Sequence, residues 1–294
     1  MPSEINATHK LAPGIYVVAT PIGNLGDLSP RASTILQQAN LIAAEDTRTS
    51  RKLPPLAATQ QTLVSLTEHN FEERKRQLLD AARTGVVAVI SDAGTPGIAD
   101  PGGRLVAAAH DEGVRVVPIP GPSALAAALS AAGCGPGPSV FLGFLPRQAS
   151  KRKAALAQLR SGWLESAVFL ESPGRIADTL RDVAEVLEDP IVVVCRELTK
   201  LHEEVVRGRA SEFAARFEEA RGEFTVVVFI PPMPERDANA DALAGYMAEM
   251  QRAGAHRSGA ASEAARKFGV PRAQAYAIWA LTPGVEDSVQ TGPW

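Results

Sequence analysis

Carboxylates and cations occur in this chain in short clusters, each placed directly after an apolar run. Glu45-Asp46-Thr47-Arg48 follows Leu41–Ala44, and Glu68-His69-Asn70 follows Leu63–Leu66. Glu171-Ser172-Pro173-Gly174-Arg175 follows Ala167–Leu170, and Arg196-Glu197-Leu198-Thr199-Lys200 follows Ile191–Cys195. A guanidinium beside a carboxylate can hold a phosphate while the acid orients it or takes a proton. Asp46 and Arg48 are therefore candidate catalytic residues, although Asp46 also fits as the cap of a following helix. His69, next to Glu68, could serve as a base. Arg175 and Lys200 are candidate contacts to an anionic substrate, against the plainer reading of charged turns.

The strongest sequence feature is Ser91-Asp92-Ala93-Gly94-Thr95-Pro96-Gly97-Ile98-Ala99-Asp100-Pro101-Gly102, delivered by the apolar run Val86–Ile90. Three loops of the same kind accompany it. They are Ala19–Asn24 after Ile15–Val18, Pro120–Ser123 after Val114–Ile119, and Gly143–Pro146 after Val140–Leu142. Glycine admits close backbone approach, and proline fixes a loop in advance. At the carboxyl edge of an open α/β sheet such loops surround a ligand. Their backbone groups suit an adenine, a ribose and a charged tail. They do not suit a triphosphate, since GxxxxGK[ST] is absent and a P-loop is thereby excluded; nor does a dinucleotide-type GxGxxG follow the first strand. Asp92 and Asp100 add negative charge that favours a cationic ligand, or they cap the next helix.

The elements that must position these loops follow from periodicity. In the first half, strands are expected at Ile15–Ala19, Leu41–Ala44, Leu63–Leu66, Val86–Ile90 and Val114–Ile119. Helices alternate with them at Arg31–Ala39, Phe71–Thr84, Gly103–Glu112 and Ser123–Ala132. Asn70 and Glu73 suggest a capping box for the second helix. This rhythm implies a mostly parallel sheet. The pattern restarts after Pro146, with helices at Lys151–Leu159, Ile176–Leu187 and Glu212–Ala220. Its strands are expected at Ala167–Leu170, Ile191–Cys195, Glu204–Val206 and Phe224–Ile230. The expected fold is thus α/β: a first domain at 13–142 and a second at 143–230, with a cleft between them. A flexible start (1–12) precedes them, and a proline-rich linker (231–240) and a helical module (241–294) follow. Within the module, Asp241–Gln251, Gly259–Phe268 and Arg272–Leu281 outline either a helix-turn-helix or a plain helical hairpin.

The chain of 294 residues is 45% hydrophobic, enough for two or three domains. Two cysteines, Cys134 and Cys195, lack metal-ligand spacing and imply a reducing compartment without zinc. No signal-peptide core and no membrane-length apolar run are present, so a cytoplasmic location is expected. A net charge of −3 is not that of a general nucleic-acid binder. Arg147, Lys151, Arg152 and Lys153 nonetheless cluster, as a substrate-binding patch or a solvated helix face.

The segments VATPIGNLGDLSPRA, AAEDTR, SDAGTPGIADPG, PGPSA, GFLP and RELTK appear in that order. With them the chain resembles the tetrapyrrole-methylase-like S-adenosylmethionine methyltransferases, densely over residues 13–230 and thinly over the tail. The resemblance implies S-adenosyl-L-methionine as cofactor, held between two α/β domains. The matching positions are Pro21, Ala93, Gly94, Thr95, Ile98, Ser123, Ala124 and Glu171. It is closest to a branch that methylates a cytidine 2′-hydroxyl in the decoding centre of 16S rRNA, and it implies a homodimer. His69 could then contact the ribose. A methyltransferase for a tetrapyrrole such as uroporphyrinogen is the alternative. The family often has histidine where this chain has Thr67, and usually where it has Gly174, so no role for those imidazoles carries over.

Overall fold

The structure, a computed structural model, describes residues 11–57, 59–161, 163–231 and 238–281. They form two compact units, divided between Pro231 and Pro232.

The first unit contains two sheets. The first sheet is built from β1 (Gly14–Val18), β2 (Leu41–Ala44), β3 (Leu63–Ser65), β4 (Val86–Ile90) and β5 (Val116–Ile119), in the order β3-β2-β4-β1-β5. All its pairings are parallel. Every residue of β4 is buried, as expected of a strand covered on both faces. Side chains alternate between two cores: Tyr16, Val18, Ala88 and Ile90 face one, and Ile15, Val87 and Val89 face the other. The helices that cover the sheet include α1 (Pro30–Gln38), α4 (Phe71–Thr84) and α5 (Gly102–Asp111). Two single-turn helices, α2 (Thr47–Ser50) and α3 (Pro54–Ala57), were not expected, since four residues carry no helical period.

Asn70 does not cap α4 through its side chain. Its Oδ1 accepts from the Thr67 amide at 2.8 Å and its Nδ2 donates to the Ser65 carbonyl at 3.0 Å. The residue thus closes the turn before the helix, and the expected capping box does not form.

The second sheet, β6-β7-β10-β8-β9, is mixed. β6 (Ser139–Phe144) pairs parallel with β7 (Ser166–Glu171). β8 (Ile191–Arg196), β9 (Glu204–Arg209) and β10 (Phe224–Phe229) join antiparallel. One face packs on α7 (Ala149–Ala157), α8 (Ile176–Val186) and α9 (Ala210–Arg216), around Phe169, Leu180, Phe213 and Phe224. The other face packs on Ala128 and Ala132 of α6 (Ala124–Ala132). The expected boundary at 142/143 therefore falls inside β6. The helix before it, which follows β5 in sequence, already covers the second sheet.

The second unit is helical: α10 (Ala238–Arg252), α11 (Arg257–Phe268) and α12 (Arg272–Leu281). It has its own core of Leu243, Met247, Ala261, Ala264 and Ala275. Gly269 ends α11 in a left-handed conformation, as a C-cap glycine does. Of the expected linker, residues 232–237 lie outside the described residues, and 238–240 are already helical. The expected flexible start also lies outside them, except residues 11 and 12. Among the described residues no helix is long and apolar enough to cross a membrane.

Candidate functional site

Parallel pairing sets the loops after β1, β4 and β5 side by side, and hydrogen bonds then join them. Thr20 and Gly94 form an isolated antiparallel bridge, with N···O distances of 2.9 and 3.0 Å. The Thr95 hydroxyl donates to the Pro122 carbonyl at 3.0 Å. The Asp46 amide donates to Asp92 Oδ1 at 2.9 Å, which ties in the loop after β2. Asp100 accepts from the amides of Gly97 and Gly102 and so shapes the turn into α5. Both acids read from sequence as charge or caps therefore also hold loop geometry.

These loops wall a cavity of about 390 Å³ together with residues of the second sheet. Of the expected cofactor positions, Ala93, Gly94, Thr95, Ile98, Ser123, Ala124 and Glu171 line it. Pro21 is buried and lines a neighbouring cavity instead. The wall also includes Phe141, Phe144, Leu170 and Phe224, and the carboxylate residues Glu45, Asp100 and Glu223; no lysine or arginine is among its lining residues. A pocket of apolar walls with a few placed polar groups is the usual form of a small-molecule site. A larger groove, about 730 Å³, is lined by residues of α4 and Glu112 and by none of these loops.

The sequence missed Glu223 and Phe224 because it does not show strand direction. β10 runs antiparallel to β7 with Phe224 opposite Glu171, which brings the start of one strand to the end of the other. Glu45 precedes the residue singled out beside it and was passed over. Its carboxyl is raised above its ordinary value of 4.5, by burial first and then by the charges of Asp92 and Asp100. Asp46 moves the other way. The Arg48 side chain donates to it at 3.2 and 3.0 Å, the Arg48 amide at 2.8 Å, and its carboxyl falls to about 2. Asp46 caps α2, as its alternative reading held, and neither it nor Arg48 lines the cavity. His69 is exposed on a turn and does not line it either.

Glu171 has a fully buried carboxylate. It accepts from the Ser172 amide (2.8 Å) and the Thr179 hydroxyl (2.8 Å), and it pairs with Arg175 at 3.2 Å. Arg175 donates in turn to the Leu145 carbonyl at 2.8 Å. These two side chains fix the loop after β7 onto the segment after β6, so Arg175 is not an open cation. Arg152 is likewise taken out of the basic patch. It is buried, pairs with Asp182 at 2.6 Å and holds the Arg147 carbonyl at 3.2 Å. Arg147 and Lys151 stay exposed. Lys200 bridges Glu197 (2.9 Å) and Glu223 (3.0 Å), and it packs so closely on the first loop that a Cβ at Gly23 would lie 2.4 Å from its Cγ.

The sequence profile of tetrapyrrole (corrin/porphyrin) methylases matches residues 14–214. Ribosomal RNA small subunit methyltransferase I of Micromonospora olivasterospora is 45% identical over 240 residues, covering 80% of this chain and 76% of that protein. The protein of the same name from Halalkalibacterium halodurans is 44% identical over 217 residues, 73% of this chain and 75% of that one. The chain belongs to the tetrapyrrole methylase family, in its ribosomal RNA small subunit methyltransferase I group. The methylase fold also appears in uroporphyrin-III C-methyltransferase from Thermus thermophilus, solved in complex with S-adenyl homocysteine. That structure is 21% identical, with a TM-score of 0.53, and the match covers 74% of this chain and 97% of the other. In this methylase the loops named above therefore lie within the family's matched region.

Proposed function

We propose that this protein transfers a methyl group from S-adenosylmethionine to the ribose 2′-hydroxyl of a decoding-centre cytidine in 16S rRNA. The cofactor site is the 390 Å³ cavity, and the observation that carries the reading is its chemistry. Its backbone-rich loops can hold adenine and ribose edges. Four carboxylate residues, Glu45, Asp100, Glu171 and Glu223, line it and no basic residue does, which suits a sulfonium cation. When bound, S-adenosylmethionine supplies a methyl group already activated for displacement. The protein has to align the acceptor oxygen with that methyl and accept the hydroxyl proton. Glu45 fits the second task better than Asp46: it lines the cavity and its carboxyl is the more basic of the two. Arg147 and Lys151 on the second sheet's side, and the cations of the helical module, would meet rRNA phosphates. Action as a homodimer in the cytoplasm completes the proposal.

The test is methyl incorporation into small ribosomal subunits from a strain lacking this gene, with the modified nucleoside identified after digestion. A single 2′-O-methylcytidine in 16S rRNA is expected. Methylation of uroporphyrinogen with none of the rRNA would overturn the reading.

A further inference from the structure

A second cavity, about 300 Å³, adjoins the first and shares Ile22, Ser91, Ala93 and Glu223 with it. Its charge is different. Lys52 and Lys200 line it beside Asp92 and Glu223, whereas the larger cavity has no basic lining residue. Lys200 is held by two carboxylates, but Lys52 makes no ion pair among the described residues. Ser50, the last residue of α2, also lines this cavity; it is 3% exposed and its buried hydroxyl has no hydrogen-bond partner. A buried hydroxyl without a partner costs the fold stability, so its presence calls for a ligand that satisfies it.

We propose that this smaller cavity is the subsite for the acceptor nucleotide, with Lys52 on a backbone phosphate and the Ser50 hydroxyl bonded to the nucleotide's sugar or base. The inference rests on the methyl transfer proposed above. A cationic donor and an anionic acceptor then occupy neighbouring cavities, the first lined by carboxylates without a cation and the second carrying Lys52, which has no ion-pair partner among the described residues. They meet at Ile22, Ser91, Ala93 and Glu223, the residues common to both walls, where a methyl group has to pass from one to the other. Binding the two reactants on either side of one shared wall converts their encounter into a positioned reaction.

The experiment uses the full chain, small ribosomal subunits from a strain lacking the gene, and radiolabelled S-adenosylmethionine. For Lys52→Ala and Ser50→Ala, KM for the subunits should rise at least fivefold, with kcat and the calorimetric Kd for S-adenosylmethionine within twofold of wild type. Lys52→Ala should also remove roughly 0.7 from the slope of log KM against log salt, as loss of one phosphate contact on single-stranded RNA does. Ser50→Ala should leave the thermal midpoint unchanged or raise it, which a purely structural hydroxyl would not do. Unchanged KM in both variants would overturn the subsite. A large loss of cofactor affinity would overturn it too, by assigning the cavity to the donor. If wild-type protein binds S-adenosylmethionine yet methylates no subunits, the functional reading itself fails, and the subsite with it.

Discussion

Thr20 and Gly94 exchange both of their backbone hydrogen bonds although they sit in the turns after two different strands. The Thr20 hydroxyl adds a contact to the Ser91 carbonyl at 3.3 Å, so the two loops behave as one wall. Glycine is needed in this bridge for its own backbone. Gly94 has φ of +80°, and a Cβ there would lie 3.2 Å from the Ile22 side chain. The sequence suggested a glycine kept bare for a ligand; the structure adds that the neighbouring loop also crowds a Cβ there, while Gly94 still lines the cavity.

Gly94→Val should therefore abolish binding of S-adenosylmethionine and also lower stability. A branched residue at this φ is strained by about 1–3 kcal/mol, and it pushes Ile22 into the cavity. Calorimetry should show no heat of binding, while far-ultraviolet circular dichroism keeps its shape and the thermal midpoint falls by several degrees. Wild-type affinity in this variant would remove the loop from the site.

Glu45 and Asp46 are adjacent in sequence but should separate cleanly in a pH titration. The Glu45 carboxyl lies above 4.5 through burial and the charges of Asp92 and Asp100, so the single-turnover rate should decline as pH drops through that raised value. Glu45→Gln should lower the rate by roughly 100-fold and abolish this limb, the scale of a lost general base. Asp46→Ala should preserve the limb, since Arg48 keeps Asp46 ionised down to about 2. Stability should move in the opposite sense. A carboxyl raised by folding binds its proton more tightly in the native state, so its ionisation penalises the fold as pH rises past 4.5. Glu45 is exposed and screened by solvent, so Glu45→Gln should raise the thermal midpoint at neutral pH only slightly, and lose that advantage below the unfolded value. Asp46 contributes stability above its ordinary 3.8, and that contribution disappears as pH falls towards about 2.

The limits of the sequence reading have physical causes. Apolar runs ending in Gly/Pro loops revealed most strands, because burial demands continuous hydrophobic stretches there. A buried strand reads alike in both directions, so the arrival of Phe224 beside Glu171 was invisible. Residues 47–57 hold helices too short for periodicity to register. Arg152 reads as one charge in a basic run, since its partner Asp182 lies thirty positions away and no local pattern links them.

That pair yields a stability prediction. The Arg152 and Asp182 side chains are 6% and 10% exposed, and breaking a buried ion pair by removing one partner costs about 3–5 kcal/mol. Arg152→Ala should lower the thermal midpoint by roughly 10 °C. Lys151→Ala, one residue earlier and exposed, should leave stability within about 0.5 kcal/mol. Equal midpoints for the two variants would return Arg152 to the surface patch.

The helical module supplies the last prediction. Its aromatic residues serve its own packing: Tyr246 meets Phe268 at 5.5 Å between ring centroids, and Trp279 packs against the module's core. Two of its cations lie on its own rings, Arg257 at 3.8 Å from Tyr276 and Lys267 at 4.1 Å from Tyr246. A guanidinium stacked on a ring keeps its charge and most of its donors, so it is held in place and still able to meet phosphate. The two sheets, for their part, have cores formed by residues before 231. A chain ending at Pro231 should stay soluble and bind S-adenosylmethionine as the full protein does. Its KM for small ribosomal subunits should rise strongly, and the slope of log KM against log salt should flatten by roughly 0.7 for each phosphate contact removed. Aggregation of the truncated chain with loss of the cofactor site would make the module a structural cover. Full-rate methylation by a soluble truncated chain would end its assignment to RNA.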